Sequence, residues 1–233
     1  MQARGHEIGE TPFESYEEMI ACYCEALMSL NQSLPQVFIG WSMGGYLAHD
    51  VACCLADQGH SVAGIVILDS VNYGSLPHDV ERPAIPENFE EFVREVIEIF
   101  LSESAAQNLN GASESGKLQL IREAAAAAGN LAADILKEDP NRVERFMRVF
   151  HQNTEILAGR SATGVYGGPA LVIRAADTAR IVEDPALGWV ASCGSVNSID
   201  LPYDHQYLLA DDASLRVIEA VTCWLEELSR NAS

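Results

Sequence analysis

The chain has 233 residues, enough for one α/β domain with a sizeable core or two small domains, and with 48% hydrophobic and 21% charged residues its globular balance argues against disorder. Fourteen Lys and Arg stand against 34 Asp and Glu, a formal net charge of −20, so nucleic acid and anionic membranes are not expected partners. No apolar run approaches ~18 residues, so no transmembrane helix is expected, and Met1 to Glu10 lacks the apolar core of a signal peptide.

Residues 11–31 read as a helix. Ser15 followed by Glu18 is a capping-box pattern, and Met19, Ile20, Tyr23, Leu27 and Leu30 recur at roughly helical spacing. Gln36 to Gly40 is a short apolar run suited to a buried parallel strand. Residues 43–58 read as a helix ending near Gly59, and Ala63 to Leu68 as a second buried strand. Residues 73–87, rich in Pro, Gly and charge, read as a loop. Helices are expected over Phe89–Leu101, Leu118–Lys137 and Asn141–Ala158; the alanine run Ala124–Ala128 reflects helix propensity. The strand pattern resumes at Ala170–Ala175 and Ser195–Leu201, and an amphipathic helix covers about Asp212–Arg230.

The alternation of strands and helices implies a mostly parallel sheet covered by helices on both faces. A single α/β domain is expected over 1–233. Its core would be 1–72 and 167–233, with a helical lid inserted at about 73–166. Cys22, Cys24, Cys53, Cys54, Cys193 and Cys223 form no C-x-x-C pair and have no histidines at zinc spacing. They read as small buried hydrophobes in a reducing cytosol, with neither metal nor disulfide expected.

Gly40-Trp41-Ser42-Met43-Gly44 matches G-x-S-x-G, set between a buried strand and a helix as a nucleophile elbow requires. In such a turn the serine is strained so that its hydroxyl projects above the sheet. The flanking Gly40 and Gly44 are expected to remove clashing Cβ atoms, and Gly45 to add room. The helix beginning at Met43 aims its free N–H groups and positive end at the reaction centre. Serine needs a base. Of His6, His49, His60, His78, His151 and His205, only His205 follows the last strand, where the base of this fold must sit; His49 and His60 point away from the serine. Two acids could orient that histidine. Asp69 ends the second strand and Asp177 follows the third, and position alone does not separate them. Asp204 is too close to His205 in sequence to serve easily.

Gly40 to Gly45, the strand end Ile67-Leu68-Asp69-Ser70 and Tyr203-Asp204-His205 together resemble the release thioesterase domains of nonribosomal peptide and polyketide synthases, which are α/β-hydrolases. The segment Gln2-Ala3-Arg4-Gly5 is similar to the stretch just after an early strand of that family. The resemblance implies the α/β-hydrolase fold with Ser42 as nucleophile, His205 as base and Asp69 as acid, Asp177 being the position more usual in stand-alone editing thioesterases. It implies one oxyanion donor in the Met43 N–H. The family's second donor comes from a loop ahead of the segment matched by Gln2, so an N-terminally truncated domain is expected. It further implies an acyl, polyketide or peptidyl chain carried on the phosphopantetheine of a carrier protein, with no bound cofactor and a cytoplasmic setting. Release would run by hydrolysis or cyclisation. The alternatives are an editing thioesterase or other serine esterase, and a catalytically weak remnant that docks a carrier protein.

Overall fold

The computed structural model describes residues 3–30, 34–77, 142–160 and 164–231, with isolated positions between 80 and 119. The helices expected at Phe89–Leu101 and Leu118–Lys137, and most of the expected lid, lie outside the described residues. The chain divides into two compact units, Met1–Glu18 with Pro83–Arg160 and Met19–Arg82 with Ser161–Ser233.

Helix α1 spans Tyr16–Met28, shorter at both ends than the periodicity suggests. Its start is set by the Ser15 hydroxyl, which accepts the Glu18 N–H at 3.1 Å. The reciprocal bond is displaced by one residue, because the Glu18 carboxylate accepts the Glu14 N–H at 2.9 Å rather than that of Ser15. In the first unit the guanidinium of Arg4 lies 4.5 Å from the centroid of the Phe13 ring. Helix α3, Arg142–Ala158, buries Met147 and Val149, and its Arg145 donates to the His6 carbonyl at 2.9 Å.

The second unit carries the sheet. Strands β1 (Gln36–Trp41), β2 (Val62–Leu68), β3 (Tyr166–Arg174) and β4 (Cys193–Asp200) lie in the order β1-β2-β3-β4, all parallel. Helix α2 (Met43–Asp57) connects the first pair, and helix α4 (Asp211–Asn231) follows the last strand. Alternation along β2 separates two cores. Ile65 and Ile67 pack with Ala52 and Cys53 of α2, Val172 and Trp189. Val66 and Leu68 pack with Leu171, Ile173 and the α4 residues Val217, Val221 and Trp224. The two helices therefore cover opposite faces of the central strands β2 and β3, which are buried; β4 is mostly exposed, and β1, expected to be buried, is only half-buried, with Ile39 57% exposed.

Strand β3 begins four residues earlier than its apolar run indicates. Gly167-Gly168-Pro169 has turn composition, yet Tyr166 pairs with Cys193 and Pro169 with Ser195 across a register shift. An irregularity of this kind is where a strand tolerates proline. All six cysteines are free thiols; Cys24, Cys53 and Cys193 are buried, but Cys223 is exposed, which corrects the expectation of uniformly buried thiols. Among the described residues no helix is long and apolar enough to cross a membrane, and no cluster of three metal-ligating side chains occurs.

The register aligns the strand ends. Trp41 pairs with Leu68, Leu68 with Ile173, and Ile173 with Ile199. Because the strands are parallel and in step, the residues just after them emerge at one edge, the carboxyl end of the sheet.

Candidate active site

Ser42 is the residue between β1 and α2, at φ 54° and ψ −123°. A non-glycine residue there is strained, at a cost of ~1–3 kcal/mol, and persists only when its surroundings over-determine it. They do so here. The Ser42 N–H donates to the Leu68 carbonyl at 2.9 Å, which ties the turn to β2. The Ser42 carbonyl accepts the Gly45 N–H at 3.0 Å and the Ser70 hydroxyl. A Cβ on Gly40 would overlap the Gly44 carbonyl, and one on Gly45 would overlap the Ser70 side chain. Gly44 differs from expectation, since a Cβ there meets nothing within 4 Å outside its own helix. The close approach is made by Gly40 and Gly45, and Gly44 contributes its backbone. Met43 is the first helical residue, so its N–H has no partner one turn earlier and faces the end of the helix where negative charge is favoured.

Asp69, the residue after β2, also has positive φ, 50°. Its side chain is fully buried and accepts three hydrogen bonds. Oδ1 takes the Ala175 N–H at 2.8 Å. Oδ2 takes the Thr178 hydroxyl at 2.7 Å and faces His205 Nδ1 at 2.7 Å. Its own N–H donates to the Ile173 carbonyl at 2.8 Å, so Asp69 is tied to the end of β3 through its main chain and to the residue just after β3 through its carboxylate. Burial, then the Asp69 charge, pushes the Tyr73 phenol above its ordinary pKa.

His205 opens a one-turn 3-10 segment after β4, with a side chain 30% exposed. With Nδ1 turned to Asp69, Nε2 is the nitrogen left for another partner. The Trp41 indole stacks on the His205 ring with centroids 5.2 Å apart and donates to the His205 carbonyl at 3.2 Å. The residue before the serine thus packs against the histidine. Nothing in the periodicity of the chain pointed to Trp41; the only available signal was an aromatic at the first variable position of the elbow.

Asp177 is not on the imidazole. Its Oδ1 accepts two backbone N–H groups, Thr178 at 3.0 Å and His205 at 2.9 Å. The loop carrying it is braced by Arg174, buried at the end of β3. Arg174 makes two 2.7 Å bonds to Asp200 and donates to the Val182 and Glu183 carbonyls at 2.9 and 3.1 Å. The hydrogen bonds to Asp200 raise the pKa of Arg174, and those to Arg174 lower that of Asp200.

His49 takes no part in this constellation. It is buried in α2 with Nδ1 2.6 Å from Asp50 Oδ1 and Nε2 2.9 Å from the Ser192 carbonyl. Both ring nitrogens face acceptors, which only the doubly protonated imidazolium satisfies. Burial lowers its pKa, but Asp50, then Cys53 and the Ser192 carbonyl outweigh that and raise it to about 9.

A family model described as the thioesterase domain matches residues 1–222. The chain belongs to the thioesterase domain family. Membership implies a hydrolase acting on thioesters. The inactive atromentin synthetase invA4 of Paxillus involutus is 34% identical over 82 residues, covering 35% of this chain and 8% of that protein. Other curated relatives are nonribosomal peptide and polyketide synthases, and this chain spans less than a tenth of the length of those it matches. A four-domain nonribosomal peptide synthetase, AB3403 in its holo form bound to AMP and glycine, superposes with TM-score 0.73 at 22% identity, over 95% of this chain and 17% of that one. The Vlm2 thioesterase domain superposes with TM-score 0.63 at 21% identity, over 93% and 79%. These likenesses show the α/β-hydrolase-like fold.

Proposed function

We propose that this chain releases an acyl, polyketide or peptidyl group from the phosphopantetheine thioester of a carrier protein through an ester on Ser42. The observation that carries the reading is the 2.7 Å bond between the buried Asp69 carboxylate and His205 Nδ1, at the strand ends that also bear the strained Ser42. In this reading Ser42 Oγ adds to the thioester carbonyl while His205 Nε2 takes its proton. Asp69 holds Nδ1–H and stabilises the imidazolium. The Met43 N–H donates to the tetrahedral oxyanion. The C–S bond then breaks, His205 returns the proton to the departing thiolate, and an acyl-Ser42 ester remains. Water or a nucleophile within the acyl chain then attacks that ester and gives its proton to His205; the acyl–Oγ bond breaks and His205 returns the proton to Ser42 Oγ. Residues at about 73–166 serve as the lid that admits or excludes water. No bound cofactor enters the scheme, and a carrier protein is the partner that presents the substrate.

The test is thiol release from an acyl-N-acetylcysteamine thioester. Ser42→Ala and His205→Ala are each expected to lose at least ~10³-fold in kcat/KM. Undiminished turnover in Ser42→Ala contradicts the acyl-enzyme.

A further inference from the structure

The short turn after β3 touches both members of the Asp69–His205 pair. Thr178 is buried, and its hydroxyl donates at 2.7 Å to Asp69 Oδ2, the same oxygen that faces His205 Nδ1. Asp177, the adjacent residue, accepts the main-chain N–H of His205 itself at 2.9 Å. The same carboxylate oxygen accepts the Thr178 N–H at 3.0 Å, so the two contacts are coupled through one atom. One dipeptide thereby fixes the rotation of the acid and the position of the base. Two further bonds hold its stem to the histidine loop. The Ala176 N–H donates to the Tyr203 carbonyl at 2.8 Å, and the Leu201 N–H to the Arg174 carbonyl at 2.9 Å.

We infer that Asp177 and Thr178 are positioning residues, a clip that sets the Asp69 carboxylate and the His205 backbone in the geometry proton transfer requires. The inference rests on the reading of Ser42, Asp69 and His205 as the reacting set. The physical case is one of orientation. Asp69 follows β2 and His205 follows β4, and neither strand contacts the other in the sheet. Among the described residues, the segment following the intervening strand β3 bonds to both. A base displaced by an ångström can cost ~10²-fold in rate. The role needs an acceptor oxygen at 177 and a hydroxyl at 178, and it needs no negative charge at 177. This separates it from a role as the triad acid, for which the charge is indispensable.

The experiment measures kcat and KM for an acyl-N-acetylcysteamine thioester, with thermal melts alongside. Asp177→Ala is expected to lower kcat by ~10–10²-fold and Thr178→Val by ~10-fold, both with KM little changed. Asp177→Asn and Thr178→Ser, which retain the acceptor and the hydroxyl, are expected to recover kcat to within about threefold of wild type. In a His205→Ala background, Asp177→Ala is expected to have no further effect on the residual rate, because the group it positions is gone. The clip is overturned if Asp177→Ala and Thr178→Val turn over within threefold of wild type, if Asn and Ser fail to rescue, or if the loss persists undiminished without His205. Should Asp177→Ala not fold, the Thr178→Val and Thr178→Ser pair decides by the same criteria. His205→Ala with wild-type turnover would instead overturn the reading of the reacting set, and the clip with it.

Discussion

Asp69 has three of its acceptor positions occupied by a backbone N–H, a threonine hydroxyl and an imidazole nitrogen. A carboxylate held this way can present only one oxygen to the histidine, and it imposes the tautomer with the proton on Nδ1. Asp69→Asn keeps the shape but places an amide where acceptors are required. It is expected to lower kcat by ~10³–10⁴-fold with little change in KM, read in the same thiol-release assay. A loss below tenfold would show that the histidine does not depend on this carboxylate. At this scale the sequence was informative about residue type and strand end, which brought out Ser42, His205 and both acids. Strand position could not separate Asp69 from Asp177, because each follows a parallel strand at the same edge of the sheet, and only the family resemblance favoured Asp69. What separates them is which way a side chain turns after its strand. Asp69 enters at positive φ and reaches the imidazole, whereas Asp177 caps its own turn and meets only main-chain N–H groups.

The elbow shows what an element owes to close approach. Gly40 lies against the Gly44 carbonyl, and Gly45 against Ser70 and Ile67. Gly40→Ala forces backbone against a new methyl and is expected to destabilise by more than ~3 kcal/mol. Gly45→Ala is expected to cost somewhat less, because its nearest clash is the Ser70 hydroxyl, which can turn at the loss of its bond to the Ser42 carbonyl, although the Ser70 Cβ must also give way. Urea titrations of the two variants check the order; equal stability of Gly40→Ala and wild type would remove the steric account of the turn. The strands β2 and β3 were legible because burial on both faces leaves near-continuous apolar runs. The start of β3 was not, since Tyr166 to Pro169 pairs through an irregular register that glycine and proline permit but do not advertise. The end of α1 was overrun for a related reason: Leu30 keeps the apolar spacing but lies beyond the last helical turn, 57% exposed.

At the scale of the whole molecule, a buried histidine with a raised pKa sits inside a chain of net charge −20. His49 faces Asp50 and Cys53 from its own helix, and the Ser192 carbonyl and the Trp189 ring from the segment before β4. Its folded pKa of about 9 lies above the ordinary value of 6.5. A raised folded pKa contributes stability that is fully present below the unfolded value and is lost as pH rises through the folded one. Unfolding free energy is therefore expected to fall between about pH 6.5 and 9 by a few kcal/mol. His49→Gln, which has no proton to lose, is expected to be less stable at pH 6 and to show a flatter dependence over that interval. Urea titrations at pH 6, 7.5 and 9.5 check it, and a wild-type curve as flat as that of the variant would mean that His49 is buried neutral.

Among the described residues the alternation of strand and helix made the layered sheet readable, and the parallel register brings Ser42, Asp69 and His205 out at one edge of that sheet. The central claim is that this edge activates one serine. Reaction with a fluorophosphonate, followed by peptide mapping by mass spectrometry, tests it most directly. The account predicts a single adduct on the peptide containing Ser42, absent in Ser42→Ala and formed much more slowly in His205→Ala. An adduct on any other residue, or labelling that survives Ser42→Ala, would contradict it.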